Sequence, residues 1–278
     1  MTTSNQQTVA LKPDLDLRLA QAGAGRPALI LHGGAGPASV GSLAAHFSAN
    51  MHTITPTHPG WDGTPRPTWL SGIDDLAQTY LQYLTEAGHH DVLVVGSSIG
   101  GWIAAEMAVR DAGHVISGLV LVDAVGIAVE GERILDIFAL PPPQVLQSTF
   151  YDAAKFAPDP ASMTAERVAT QRANMAALRA VAGEPYMQNP TLLRQLSRIH
   201  IPTLVAWGAA DHIATPAYGR AYAAAIADAR FEMIERAGHL PHVEQPAATF
   251  AVIDDFASQR LNLALGEVIP RCAQGGES

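Results

Sequence analysis

Cysteine is nearly missing from this sequence: the 278 residues include one, Cys272, in a polar stretch near the C-terminus. A disulfide framework within the chain is excluded, and a reducing compartment is expected. Basic residues are also few, with 17 Lys and Arg against 26 Asp and Glu and a formal net charge of −9. Without a Lys/Arg cluster nucleic acid is excluded as a partner, and the acidity is expected to serve solubility. No apolar run approaches the roughly 18 residues needed to span a bilayer. The opening MTTSNQQTVALKPD lacks the basic and apolar regions of a signal peptide. There is no HExxH, no CxxC cluster and no phosphate-cradling glycine loop. The expectation is a cytoplasmic protein that takes a small-molecule partner, needs neither metal nor organic cofactor, and touches no membrane.

What is present is ample apolar material, 48% of the residues, in a repeating order. Leu15, Leu17 and Leu19 alternate with Asp16 and Arg18, the period-2 pattern of a half-exposed strand. Short apolar runs follow at 28–31, 51–55, 92–95, 118–123, 202–208 and 231–235. Helical spacing occurs between them, at 73–87, 99–109, 218–227 and 247–256. Strands that alternate with helices predict an α/β fold, a mainly parallel sheet with helices on both faces.

One interval breaks the alternation. Between Ala124 and His200 there is no convincing strand, only the triplet PPP at 141–143, amphipathic patches and the helical run 162–182. A structureless loop of that length is rare in a compact domain, so a helical insertion is expected. The organisation predicted is a core of residues 1–124 and 200–265, an insertion over 125–199, and a disordered tail over 266–278.

Gly96-Ser97-Ser98-Ile99-Gly100 has the form G-x-S-x-G, with Ser98 central, between the apolar run 92–95 and a helix starting at Ile99. A nucleophile lifted above a sheet on so sharp a turn needs tiny neighbours two positions away, which Gly96 and Gly100 supply. The strand is expected to stop at Gly96, with Ser97 a packing or hydrogen-bonding residue. A serine hydroxyl also needs a base, and the base an orienting acid. Of the eleven histidines, His239 stands out because it follows the strand at 231–235 in the loop ERAGHLPHVEQP. That places it at the carboxyl edge of the sheet, where open α/β folds bind ligands. Asp211, after the strand at 202–208, is the expected acid, and the order Ser98…Asp211…His239 suits the elbow arrangement. Asp123 competes with it, since it too ends a core strand. Acyl transfer also needs backbone N–H groups aimed at an oxyanion. Ile99 is expected to give one, and the loop His32-Gly33-Gly34-Ala35-Gly36 the other, from Gly34 or alternatively Ala35.

With LHGGAGP, HPGWDGTPRP, GSSIGG, PTLVAWGAADHIATP and AGHLPHVEQP in that order, residues 15–258 resemble the α/β-hydrolase superfamily. The resemblance implies an eight-stranded sheet, a helical cap where residues 125–199 fall, Ser98 as nucleophile, His239 as base and Asp211 as its orienter. Ser98 stands where haloalkane dehalogenases and epoxide hydrolases place an aspartate. Leu240 stands where the ring-fission carbon–carbon hydrolases often carry Trp. Proline iminopeptidases hold a substrate amine with cap acids, for which the insertion offers Glu130, Glu132, Glu166 and Glu184. Phe138, Leu140, Phe150, Tyr151, Phe156 and Met163 are candidates either for an apolar pocket or for the cap's own core. The expected function is a serine hydrolase cleaving a small, fairly apolar ester through an acyl-enzyme on Ser98. The alternatives are another reaction on the same triad, carbon–carbon hydrolysis above all, and a ligand sensor with a vestigial triad.

Overall fold

A computed structural model of the chain describes residues 5–159 and 162–263; Cys272 and the segment 266–278 lie outside the described residues. The described residues form ten strands: β1 (Asn5–Lys12), β2 (Leu15–Ala22), β3 (Pro27–Leu31), β4 (His52–Thr57), β5 (Val92–Ser97), β6 (Ile116–Val122), β7 (Gly126–Ile127), β8 (Gln188–Asn189), β9 (Thr203–Gly208) and β10 (Ala229–Ile234). Eight form one sheet in the order β1-β2-β4-β3-β5-β6-β9-β10, and β7 pairs with β8 apart from it. β2 runs antiparallel to both its neighbours, and the rest of the sheet is parallel.

The central strands carry apolar residues on both faces because both faces of the sheet are covered. Leu29, Leu31, Val94, Leu119, Leu121, Val205 and Trp207 face one layer of the core, and Ala28, Ile30, Leu93, Val95, Val120, Val122, Leu204 and Ala206 the other. The first face is covered by α2 (Ile73–Glu86), α3 (Ile99–Arg110) and α8 (Pro216–Ala224). The second is covered by α1 (Gly41–Phe47) and by the last helix, Pro246–Leu261. At the rim of the sheet β2 shows the expected alternation, with Leu15, Leu17 and Leu19 buried and Asp16 and Arg18 exposed.

Two boundaries move for local reasons. β5 continues through Ser97, which pairs with Val122, so the elbow starts one residue later than the sequence predicts. α8 starts at Pro216 instead of residue 218, because the Thr215 hydroxyl accepts the Tyr218 N–H at 3.3 Å and proline fits the first helical turn.

Residues 125–199, between β6 and β9, carry β7, β8 and, among the described residues, four α-helices: α4 (Pro142–Thr149), α5 (Ala153–Phe156), α6 (Ala165–Val181) and α7 (Leu192–Gln195). The PPP triplet opens α4, with Pro141 at the N-cap. Two more α-helices complete the series, the short α9 (Pro241–Glu244) and the long α10 (Pro246–Leu261), the second being the last helix named above.

Parallel register sets up the site. Leu31 pairs with Gly96, Ser97 with Val122, Val122 with Ala206, and Gly208 with Ile234. Five strands therefore end at one level, and the segments that follow them, 32–36, 98, 123, 209–211 and 235–239, emerge along one edge.

Candidate active site

Ser98 turns the chain from β5 into α3 at φ 56° and ψ −118°, a left-handed region that side chains other than glycine rarely occupy. Its N–H donates to the Val122 carbonyl at 2.9 Å, and its own carbonyl accepts the N–H of Gly101 and Trp102 at 3.0 and 3.2 Å. The two flanking glycines are a matter of space. A Cβ on Gly96 would lie 2.2 Å from the Gly100 carbonyl oxygen, and one on Gly100 would lie 2.2 Å from that of Leu31. Ser97 is buried with its hydroxyl unpartnered, so it packs.

The three side chains drawn from distant segments meet. His239 Nε2 lies 2.9 Å from Ser98 Oγ, and His239 Nδ1 lies 2.8 Å from Asp211 Oδ2. Asp211 Oδ1 accepts the N–H groups of Ile213 and Ala214 at 2.8 and 3.2 Å, which fixes the carboxylate on its own loop. An acceptor-only carboxylate at Nδ1 puts the imidazole proton there and leaves Nε2 free to accept from the serine hydroxyl. Of the two acids, Asp211 is the one hydrogen-bonded to His239. Asp123, at φ 46°, turns instead beneath β9, where its Oδ1 accepts the Gly208 N–H at 2.9 Å. Among the described residues, the group with metal-ligand spacing is Asp123, Asp211 and His239. Both His239 nitrogens are hydrogen-bonded, Nδ1 to Asp211 and Nε2 to Ser98.

The loop 32–36 is held peptide by peptide. The Gly33 carbonyl accepts from Gly36 N–H at 3.2 Å and lies 2.7 Å from His32 Nδ1. Because the peptide is planar, fixing that carbonyl also fixes the direction of the Gly34 N–H. The Gly34 carbonyl accepts the Trp61 indole N–H at 2.9 Å, and the Ala35 carbonyl accepts Asn174 Nδ2 at 3.2 Å. Beneath it His32 and His58 stack at 3.7 Å. The His58 N–H donates to His32 Nε2, His58 Nε2 donates to the His32 carbonyl, and the Tyr80 hydroxyl donates to His58 Nδ1. Burial drives the His32 pKa down to about 4 and that of His58 well below its usual value, so both rings are neutral. Ile99 opens α3, where a first-turn N–H has no partner within the helix.

The helical insertion reaches both arms of this arrangement. On α6, Asn174 bridges Ala35 and Asp62, and Leu178 packs on Gly34. At the other arm the carbonyl of Thr149, the last residue of α4, lies over the histidine loop. Glu244, buried on α9, takes the N–H of Gly238 through Oε2, together with the N–H groups of Tyr151 and Asp152 at 3.1 Å each. Sequence reasoning missed Asn174 and Glu244; Glu244 lies inside the quoted AGHLPHVEQP segment, whereas Asn174 carries no local signal. Of the insertion's aromatic residues, Phe150 stacks on Phe156 at 4.9 Å and Phe138 meets Tyr186 edge-on at 5.7 Å. Tyr151 is exposed. Of the four insertion acids, Glu130, Glu166 and Glu184 are exposed, and Glu132 accepts the Thr215 hydroxyl.

Fold and site together define a hydrolase of the α/β type. The family model described as the alpha/beta hydrolase family matches residues 28–252, and the chain belongs to that family. It is 28% identical over 241 residues to Lipase 1 of Psychrobacter immobilis, covering 80% of this chain and 73% of that one. It is 28% identical over 258 residues to the pimeloyl-[acyl-carrier protein] methyl ester esterase of Aromatoleum aromaticum, covering 83% of this chain and 98% of the relative. A crystal structure of a mutant meta-cleavage product hydrolase superposes with a TM-score of 0.75 at 18% identity, covering 91% of this chain and 97% of that one. Among the described residues, no helix is long and apolar enough to cross a membrane.

Proposed function

We propose that the protein is a serine esterase that cleaves a small, fairly apolar carboxylic ester through an acyl-enzyme on Ser98. The observation that carries this reading is the unbroken chain from Ser98 Oγ through His239 to Asp211. In it, His239 Nε2 takes the hydroxyl proton as Oγ attacks the ester carbonyl, and later returns it to the leaving alcohol. Asp211 holds the imidazole in the required tautomer and offsets the charge it gains. The N–H groups of Gly34 and Ile99 face the developing oxyanion, each such donor contributing about 10²–10³ in rate. Water activated by His239 then releases the acid. The chemistry needs no cofactor, nucleic acid or membrane, and a single cysteine suits the reducing cytoplasm.

An ester is favoured over a carbon–carbon bond because Leu240 follows His239. It is favoured over a substrate amine because three of the four insertion acids are exposed and the fourth is engaged with Thr215. Two of the three sequence relatives, named a lipase and a methyl ester esterase, support the same class, while the third is named a 2-hydroxy-6-oxononadienedioate/2-hydroxy-6-oxononatrienedioate hydrolase and stands with the carbon–carbon alternative. The test is fluorophosphonate labelling with peptide mapping, alongside turnover of short p-nitrophenyl esters. Label on Ser98 and turnover far above that of Ser98→Ala is the expected result. Label elsewhere, or none, overturns the proposal, and labelling without ester turnover overturns the substrate class.

A further inference from the structure

Asp123 has no part in the acyl-transfer scheme above, yet it is wholly buried beside it. One side-chain oxygen of Asp123, one of Asp211 and one nitrogen of His239 all lie within 4.8 Å of one another. Two carboxylates so close in a desolvated site do not both ionise, because like charges there repel with little screening. The hydrogen bonds show which one carries the charge. Asp211 is surrounded by donors: two backbone N–H groups on Oδ1 and the imidazole N–H on Oδ2. Asp123 receives one donor, the Gly208 N–H on Oδ1, and its Oδ2 is buried with no partner. A carboxylate oxygen left this way costs the full desolvation of a charged acceptor.

We propose that Asp123 is a positioning residue: a neutral carboxylic acid whose Oδ2 proton is donated to the Asp211 carboxylate, fixing the acid that orients His239. A proton on Oδ2 turns that carboxyl's orphaned atom into a donor, with one oxygen of Asp211 within 4.8 Å of one of Asp123. Burial above all, then the charge of Asp211, pushes the Asp123 carboxyl well above the usual carboxylate range, and Glu244 adds to the same effect. The charged and titratable groups that face Asp123 are thus Asp211, His239 and Glu244. The arrangement anchors Asp211 from two sides, by its own loop and by the end of β6, while leaving a single negative charge against the imidazole. The inference rests on the proposed Ser98–His239–Asp211 assignment and extends it by one residue.

The test reads His239 directly. Histidine labelled with ¹⁵N is titrated by NMR in the wild type, D123N and D123A, a measurement that does not depend on which substrate is turned over. D123N keeps an acceptor for Gly208 and an N–H donor for Asp211, so it mimics the neutral acid. In D123N the His239 pKa is expected to stay within about 0.3 units of wild type, and kcat within about threefold. D123A removes the donor, and a fall in kcat of about tenfold or more with KM little changed is expected. If esters are not turned over, the rate of fluorophosphonate labelling at Ser98 replaces kcat. A His239 pKa lowered by more than about half a unit in D123N would mean that a negative charge had been lost, overturning the proposal. Wild-type rates in D123A would overturn it as well. Should D123A fail to fold, the titration of D123N decides alone.

Discussion

The backbone N–H of His239 donates to the carbonyl of Thr149 at 2.7 Å, so the imidazole is suspended from the helical insertion as well as from the sheet. The approach is tight: a Cβ on the preceding Gly238 would lie 2.3 Å from the same carbonyl oxygen. Glu244 locks this seam from below by accepting N–H groups from both sides of it.

Replacing Glu244 with Gln puts an amide NH₂ against backbone donors that now meet oxygen. Loss of about 2 kcal/mol in urea unfolding is expected, from buried N–H groups left unpaired. Because the seam carries His239, kcat is expected to fall about tenfold as well. Unchanged stability would show that the carboxylate is not what closes the seam.

The turn at Ser98 separates stability from activity. Glycine occupies φ 56° without steric cost, so Ser98→Gly is expected to unfold at higher denaturant, by about 1 kcal/mol. Its hydrolase activity is expected to fall by about 10⁶-fold, as for Ser98→Ala. A glycine variant less stable than the alanine one would argue that the turn is not strained.

Trp61→Phe keeps most of the ring but frees the Gly34 carbonyl. The Gly34–Ala35 peptide, adjoining the one that carries the Gly34 N–H, is then no longer pinned, and kcat is expected to drop about tenfold or more while KM hardly changes, the pattern of an interaction made in the transition state. A raised KM at constant kcat would mean that Trp61 serves binding instead.

Acid sensitivity follows from three buried rings. His32 and His242 are held at about 4, and His58 well below its usual value, each chiefly by burial. Unfolded, all three titrate near 6.5, so below that pH the unfolded chain binds more protons. The stability they contribute is present above pH 6.5 and is lost as pH falls toward 4. Asp123 acts oppositely, since its raised carboxyl keeps a proton that the unfolded chain releases. The net difference near pH 5 is about two protons, or about 3 kcal/mol per pH unit. Urea midpoints measured from pH 7 to 5 should fall accordingly; a flat profile would contradict the neutral His32–His58 pair.

Ser98, Asp211 and His239 were legible in the sequence because each follows an apolar run, and strand ends in a parallel sheet share an edge. β1 was not legible. Asn5–Lys12 is exposed at its first four residues and half-buried or exposed beyond them, so no core imprints the period-2 alternation that marks β2. Glu244 and Asn174 escaped for another reason. They act on backbone groups about 90 to 140 residues away, in loops whose side chains carry no trace of the contact. Asp123 follows β6 just as Asp211 follows β9, and sequence order alone does not separate two acids at neighbouring strand ends.

The indole that pins the Gly34 carbonyl is also a chromophore. Trp61 is fully buried against His32 and His58, with its N–H committed to the one loop expected to meet the oxyanion. The protein thus carries a native fluorescent reporter at that position. Subtracting the emission of Trp61→Phe from that of the wild type isolates its signal, so the proposed acylation of Ser98 can be followed by light without any label added to the chain.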